Sequence, residues 1–110
     1  MQDIEMIAMQ LIVSAGNSKS CFIEAMAEAE KRNFDKADEL VKEGVAAYAG
    51  GHEAHAKLLA MSAGGELNSI PLLLIHAEDQ MMNCETMEIV ARQVISLYRE
   101  NTALKEERSL

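Results

Sequence analysis

Aromatic side chains are scarce in this chain: they make up 4% of its 110 residues, and tryptophan is absent. That argues against a β-sandwich, whose strands draw on aromatic and β-branched residues. Basic residues are also few, ten Lys plus Arg against eighteen Asp plus Glu, and they form no cluster. The resulting charge of −8 disfavours nucleic-acid binding and suits partners with basic patches. The two cysteines, Cys21 and Cys84, form no Cys-x-x-Cys pair and fall in patterns that read as helix interior, so both are expected to be reduced, buried thiols. No apolar run reaches the ~18 residues of a membrane span. The N-terminus opens with Asp3 and Glu5 rather than the basic region of a secretory signal, which makes the cytoplasm the expected address.

A chain that is 49% hydrophobic and 25% charged is ordinary for one soluble domain, here residues 1–110. Ala, Leu, Ile, Val and Met supply the apolar surface, which points to an all-α fold. The first helix is predicted over 3–32, with Asp3 as N-cap and Ile4, Ile7, Leu11, Phe22, Ala25, Met26 and Ala29 at helical spacing. Gly16-Asn17-Ser18 marks a perturbation inside it. Asn33, after the basic pair Lys31-Arg32, is placed to cap a second helix over 34–63, with a stripe of Ala37, Val41, Val45, Tyr48 and Leu59. Gly64-Gly65 ends it, while Gly50-Gly51 inside it predicts close packing or a bend.

The third helix is predicted over 69–107, capped by Ser69 with the single proline, Pro71, in its first turn. Its solvated face is expected at Glu78, Glu85, Glu88, Arg92 and Arg99, and its end, Lys105 to Arg108, is expected to fray. Three long helices joined by short turns make an antiparallel up-down-up bundle. The third is apolar on more than one face, through Leu74, Ala77, Met81, Cys84, Ala91 and Ile95 and again through Ile75, Met82 and Ile89. A single bundle cannot bury that circumference, so a homo-oligomer with third helices near its axis is expected.

At about 100° per residue, one stripe of this helix reads Leu72, Leu73, His76, Asp79, Gln80, Asn83, Met87, Val90 and Val94. A polar window interrupts an apolar face. Buried unpaired polar groups cost roughly 1–3 kcal/mol each, so the window requires partners, a ligand or a crevice. The second helix places His52 and His55 between Tyr48 and Leu59. At 1.5 Å per residue His55 and His76 stand about 13 and 10 Å from the turn, so the two windows are expected to face each other.

Three readings of these residues stay open. His52 and His55 are satisfied core histidines, or His52-x-x-His55 and His76-x-x-Asp79 converge on a metal ion such as zinc. The third reading makes His76 a nucleophile. Neutral imidazole, with a pKa near 6.5 in model peptides, accepts a phosphoryl group on a ring nitrogen. His52, His55, Gln80 and Asn83 would donate to its oxygens, and Asp79, which would repel them, turns aside.

Ile75-His76-Ala77-Glu78-Asp79-Gln80-Met81-Met82 resembles the His-Ala-Gln-Asp-His-Leu-Met signature of the lactose/cellobiose/chitobiose-type IIA components of the bacterial sugar phosphotransferase system. Gly51-His52-Glu53-Ala54-His55-Ala56-Lys57-Leu58-Leu59 with Ala63-Gly64-Gly65-Glu66, and Ala15-Gly16-Asn17-Ser18-Lys19-Ser20, resemble further segments of that family in the same order. The resemblance implies a homotrimer in which His76 takes a phosphoryl group from the phosphocarrier protein HPr and passes it to a cysteine of a IIB component. It implies further that His52, His55 and Gln80 line the phosphoryl pocket, and that three copies of Asp79 hold a divalent ion such as Mg²⁺ on the threefold axis. No organic cofactor is implied, and the membrane is reached only through the IIC permease. Glu78 stands where the family has Gln, Gln80 where it has a second His, His55-Ala56 where it has Gln-Thr, and Ser62 where Glu is usual. Those departures leave a regulatory or interaction module of the same fold as the alternative.

Overall fold

The structure, a computed structural model, describes residues 4–67 and 69–109. Three helices account for nearly all of them: α1 (Ile4–Glu30), α2 (Phe34–Ala63) and α3 (Leu72–Ser109). They form an elongated bundle of 66 × 18 × 17 Å. The apolar interior lies in two blocks, one joining Ile7, Leu11 and Ala15 to Leu58, Leu74 and Cys84, the other joining Phe22 and Ala29 to Ala37, Val41 and Ile95. The start of α1 therefore meets the end of α2 and the start of α3, as up-down-up connectivity requires. α1 packs on both other helices, whereas α2 and α3 meet along a narrower seam.

The α1 stripe follows its spacing: Ile7, Leu11, Phe22, Ala25 and Ala29 are buried. The helix runs unbroken through Gly16-Asn17-Ser18, and Ser18 is fully buried because its hydroxyl donates to the Gly44 carbonyl at 2.8 Å. At Gly44 the Phe22 side chain of α1 lies directly against the α2 backbone. A Cβ there would lie 2.6 Å from the ring of the fully buried Phe22. Of the expected Gly50-Gly51 contact, Gly51 alone packs, with its absent side chain's place taken by the Met81 thioether, while Gly50 faces open space.

Two expected stripes are corrected. On α2 the buried leucine is Leu58, and Leu59 is 58% exposed, because the inward face continues through Gly51 and Ala54, small residues that carry little hydrophobic signal. On α3 the buried residues are Leu74, Ala77, Met81, Cys84, Ala91 and Ile95, whereas His76, Asp79 and Asn83 are exposed. Apolar residues occur all round α3, so size decides which face packs: the stripe with Ala77, Cys84 and Ala91 allows the closest approach. Cys84 is buried, with its thiol toward the Ala15 and Gln80 carbonyls at 3.4 Å, and burial pushes its pKa up. Cys21 is half-buried rather than buried, and both thiols are free.

The turns show how the helices stop. After α1, the Asn33 amide donates to the Glu28 carbonyl and the Arg32 amide to Ala29, both at 2.9 Å, with Arg32 at φ 69°. After α2, Glu66 bonds to Met61 and Gly65 to Ser62, with Gly65 at φ 73°. These are two Schellman motifs, one closed by glycine and one by arginine. Asn33 precedes α2, as expected, but its side chain makes no cap bond and donates to Glu28. Pro71 rather than Ser69 stands immediately before α3, its carbonyl accepting from the Leu74 amide at 3.0 Å. The Asp3 cap lies outside the described residues. The end of α3, expected to fray, is helical to Ser109 and exposed from Ala103.

A left-handed conformation costs an L-residue roughly 1–2 kcal/mol, partly offset when glycine replaces it by the greater entropy of the unfolded chain. Arg32→Gly should therefore raise stability by about 0.5–1 kcal/mol and Gly65→Ala lower it by about 1 kcal/mol, as read by denaturant unfolding. Gly44→Ala gains about 1 kcal/mol of helix propensity but overpacks the Phe22 ring by roughly 1–3 kcal/mol, so net destabilisation is expected.

Candidate functional site

The seam between α2 and α3 is polar. His55 faces Glu78, His52 Nε2 lies 3.6 Å from Glu85, the Tyr48 hydroxyl donates to Glu88, and Arg99 donates to Asp38 at 2.6 Å. The α2 partners descend in number as the α3 partners ascend, the register of an antiparallel pair. His55 Nδ1 is shielded from solvent against the Glu78 carboxylate. Tyr48 stands edge-on to His52, ring centroids 5.2 Å apart, and its hydroxyl is pushed up to about 12, first by the bond to Glu88 and then by burial. The same bond holds the Glu88 carboxyl below its ordinary range.

The acidic face expected to be solvated is thus the face that meets α2. Glu78 and Glu88 are only partly exposed, and Glu78, which the sequence pattern turned away from the histidines, touches His55. The reason is complementarity: the Tyr48 hydroxyl bonds Glu88, and the imidazoles of His55 and His52 stand against the carboxylates of Glu78 and Glu85. One signal of this was present in the sequence. Glu78, Glu85, Arg92 and Arg99 recur at intervals of seven, the repeat of a helix flank that keeps facing one neighbour.

His76 lies on another flank. It is separated from Glu78 by two residues, about 200° around the helix, and from Gln80 by four, about 40°. Gln80 faces α1, where its Oε1 accepts from Lys19 Nζ at 2.8 Å. His76 is therefore an exposed residue at the α1 margin of α3, and within one chain it is not brought together with His52 or His55. Gln80 does share its flank.

Asp79, about 200° from the buried Ala77, occupies the middle of the outward face. It shares a shallow depression with Met82, Asn83, Thr86 and Ile89. Leu72, Ile75, Met82, Ile89, Val90 and Leu97 make the same side of α3 an exposed apolar surface. Leu73 and Met87 belong to the α1 margin beside His76. Among the described residues, no three His, Cys, Asp or Glu converge to hold a metal ion, so His52, His55, His76 and Asp79 do not form the four-ligand site that their spacing allowed. Asp79 fits an ion only as one carboxylate among several chains.

Among the described residues no helix is long and apolar enough to cross a membrane. Residues 6–99 match the model of the family described as PTS system, lactose/cellobiose specific IIA subunit. The oligo-beta-mannoside-specific EIIA component of Bacillus subtilis is 30% identical over 95 residues, 86% of each chain, and the lichenan-specific phosphotransferase enzyme IIA component of the same organism is 31% identical over 101 residues, 92% of each. The lactose-specific EIIA component of Staphylococcus epidermidis is 29% identical over 100 residues, 91% of this chain and 96% of that one. The crystal structure of the cellobiose-specific enzyme IIA of Bacillus anthracis superposes with a TM-score of 0.89 at 35% identity over 94% of each chain. With His76 exposed on a rigid helix and the whole bundle shared, the chain belongs to the lactose/cellobiose family of IIA components of the sugar phosphotransferase system.

Proposed function

We propose that this protein is a phosphohistidine carrier in the cytoplasm: His76 takes a phosphoryl group from HPr and passes it to the cysteine of a IIB component during sugar uptake. The observation that carries this reading is an exposed imidazole on an unbroken helix, in a chain of this family. In the first step the bond from phosphorus to the donor atom breaks as a bond to a ring nitrogen of His76 forms; in the second that bond breaks as phosphorus joins the acceptor sulfur. Phosphoryl transfer depends mainly on positioning and electrostatics, so a carrier needs an accessible nucleophile and an apolar surface on which each partner can dock in line. Leu72 and Leu73, exposed on the turn before His76, supply such a surface.

The placement of the other site residues supports a homotrimer. An apolar outward face along α3, with Asp79 at its middle, suits three α3 helices around an axis where three carboxylates hold a divalent ion such as Mg²⁺. A cyclic arrangement sets the α1 margin of one protomer against the α2 margin of the next. His52 and His55, remote from His76 in their own chain, would then line the phosphoryl pocket of a neighbour. Glu78, Gln80, His55-Ala56 and Ser62, the departures from the family pattern, all lie on or near those two margins or the end of α2.

Incubation with phosphorylated HPr should place one acid-labile, base-stable phosphate on each chain, and His76→Gln should abolish it. A wild-type protein that binds HPr but takes no phosphate would instead be an interaction module. Mass measurement in solution should give three chains per particle and one divalent ion per three chains, the ion lost in Asp79→Asn. A monomer at micromolar concentration would overturn the trimer.

A further inference from the structure

We infer that Lys19 is a positioning residue of the phosphoryl site, its ammonium held on Gln80 in the unphosphorylated protein and transferred to the phosphoryl oxygens when His76 carries the group. This rests on the reading of His76 as the carrier. The contact between Lys19 Nζ and Gln80 Oε1, at 2.8 Å and part-buried, crosses from α1 to α3. Gln80 is four residues after His76, so the two side chains leave the same flank one turn, about 5.4 Å, apart. The four-carbon stem of a lysine spans that distance without movement of the backbone.

The choice of partner is what points to a ligand. Among the described residues the exposed Lys42, Lys57 and Lys105 also lack a carboxylate in ion-pair range, but Lys19 is the one part-buried lysine, and no carboxylate lies in range of it. Its partner is a neutral amide. The bond to Gln80 is already charge-assisted through its donor, but a phosphoryl group of about −1.5 to −2 charge offers an ionised acceptor as well and so competes well for the ammonium. The need is also local. Asp79 follows His76 by three residues on the neighbouring outward face, so the added negative charge forms near one carboxylate, while Glu78 is turned to His55 of α2. Released by Lys19, the Gln80 side chain is free to turn its amide N–H toward the same oxygens.

A purely structural Lys19, a strut between α1 and α3, makes a different prediction, and the comparison of Lys19→Met with Lys19→Arg separates them. Phosphorylated wild-type protein should hold its phosphate longer and equilibrate further toward the phosphorylated form with HPr than Lys19→Met, by on the order of tenfold. Lys19→Arg should restore most of that difference, and the ε-methylene resonance of Lys19 should shift on phosphorylation of wild type but not on exposure of His76→Gln to phosphorylated HPr. If wild type is phosphorylated and Lys19→Met matches it within twofold, the role of Lys19 falls and the carrier reading stands. Loss in both variants with a parallel fall in thermal midpoint would reduce Lys19 to the strut. Failure of wild type itself to take phosphate would overturn both readings.

Discussion

Each residue of an α-helix is turned about 100° from the one before it, and this separates the four residues His76-Ala77-Glu78-Asp79 completely. Ala77 is in the core, Glu78 meets α2 at His55, Asp79 faces outward, and His76 lies at the α1 margin beside the flank of Gln80 and Lys19. A histidine and a carboxylate three apart suggest a dyad on paper. Here the pairs of neighbours serve different surfaces, and nothing in the arrangement requires His76 and Asp79 to cooperate. Everything else depends on α3 holding one rotation about its axis, since a turn of one residue would place Glu78 in the core.

That rotation is set by packing and charge together. Ala77, Cys84 and Ala91 let α1 approach, and Gly51 of α2 admits Met81, so the apolar contacts select a face by size. Single exposed ion pairs contribute about 0–1 kcal/mol, too little for the seam to be a main source of stability. Its effect is on specificity, because a wrong rotation would set the acidic residues of α3 against apolar α1 and strip His52, His55 and Tyr48 of partners. The fully buried Ser18 acts in the same way on α1, where its one bond to the Gly44 carbonyl fixes the height at which Phe22 enters the gap left by that glycine.

The sequence announced the helices, their connectivity and most of the α1 core, because those follow from period and from Gly64-Gly65 at a helix end. The faces of α3 were misread for a physical reason. Hydrophobicity names a core face only when the others are polar, and α3 has apolar residues on all sides, some for its own bundle and some left exposed. The seam was missed because Glu78, Glu85 and Glu88 look like solvent-facing residues until their α2 partners are known. Lys19 was legible only as part of the family-like segment Ala15–Ser20, since a lysine in an amphipathic helix is ordinarily a solvated one; only the fold sets it on Gln80.

The spacing of the seam also fixes its shape. Four α3 residues at intervals of seven, Glu78 to Arg99, drift by about 20° per heptad on a straight helix, so the line of charge turns by about 60° over the seam. At one end the exposed Arg99 lies over the Phe34 ring at 5.2 Å; at the other the half-buried Glu78 meets His55. Near His76 the two margins of α3 carry His55 and Glu78 on one side and Gln80 with Lys19 on the other. Between them the outward face with Asp79, Met82 and Ile89 is exposed, so an apolar surface and a carboxylate stand together where neither margin of the chain's own bundle reaches.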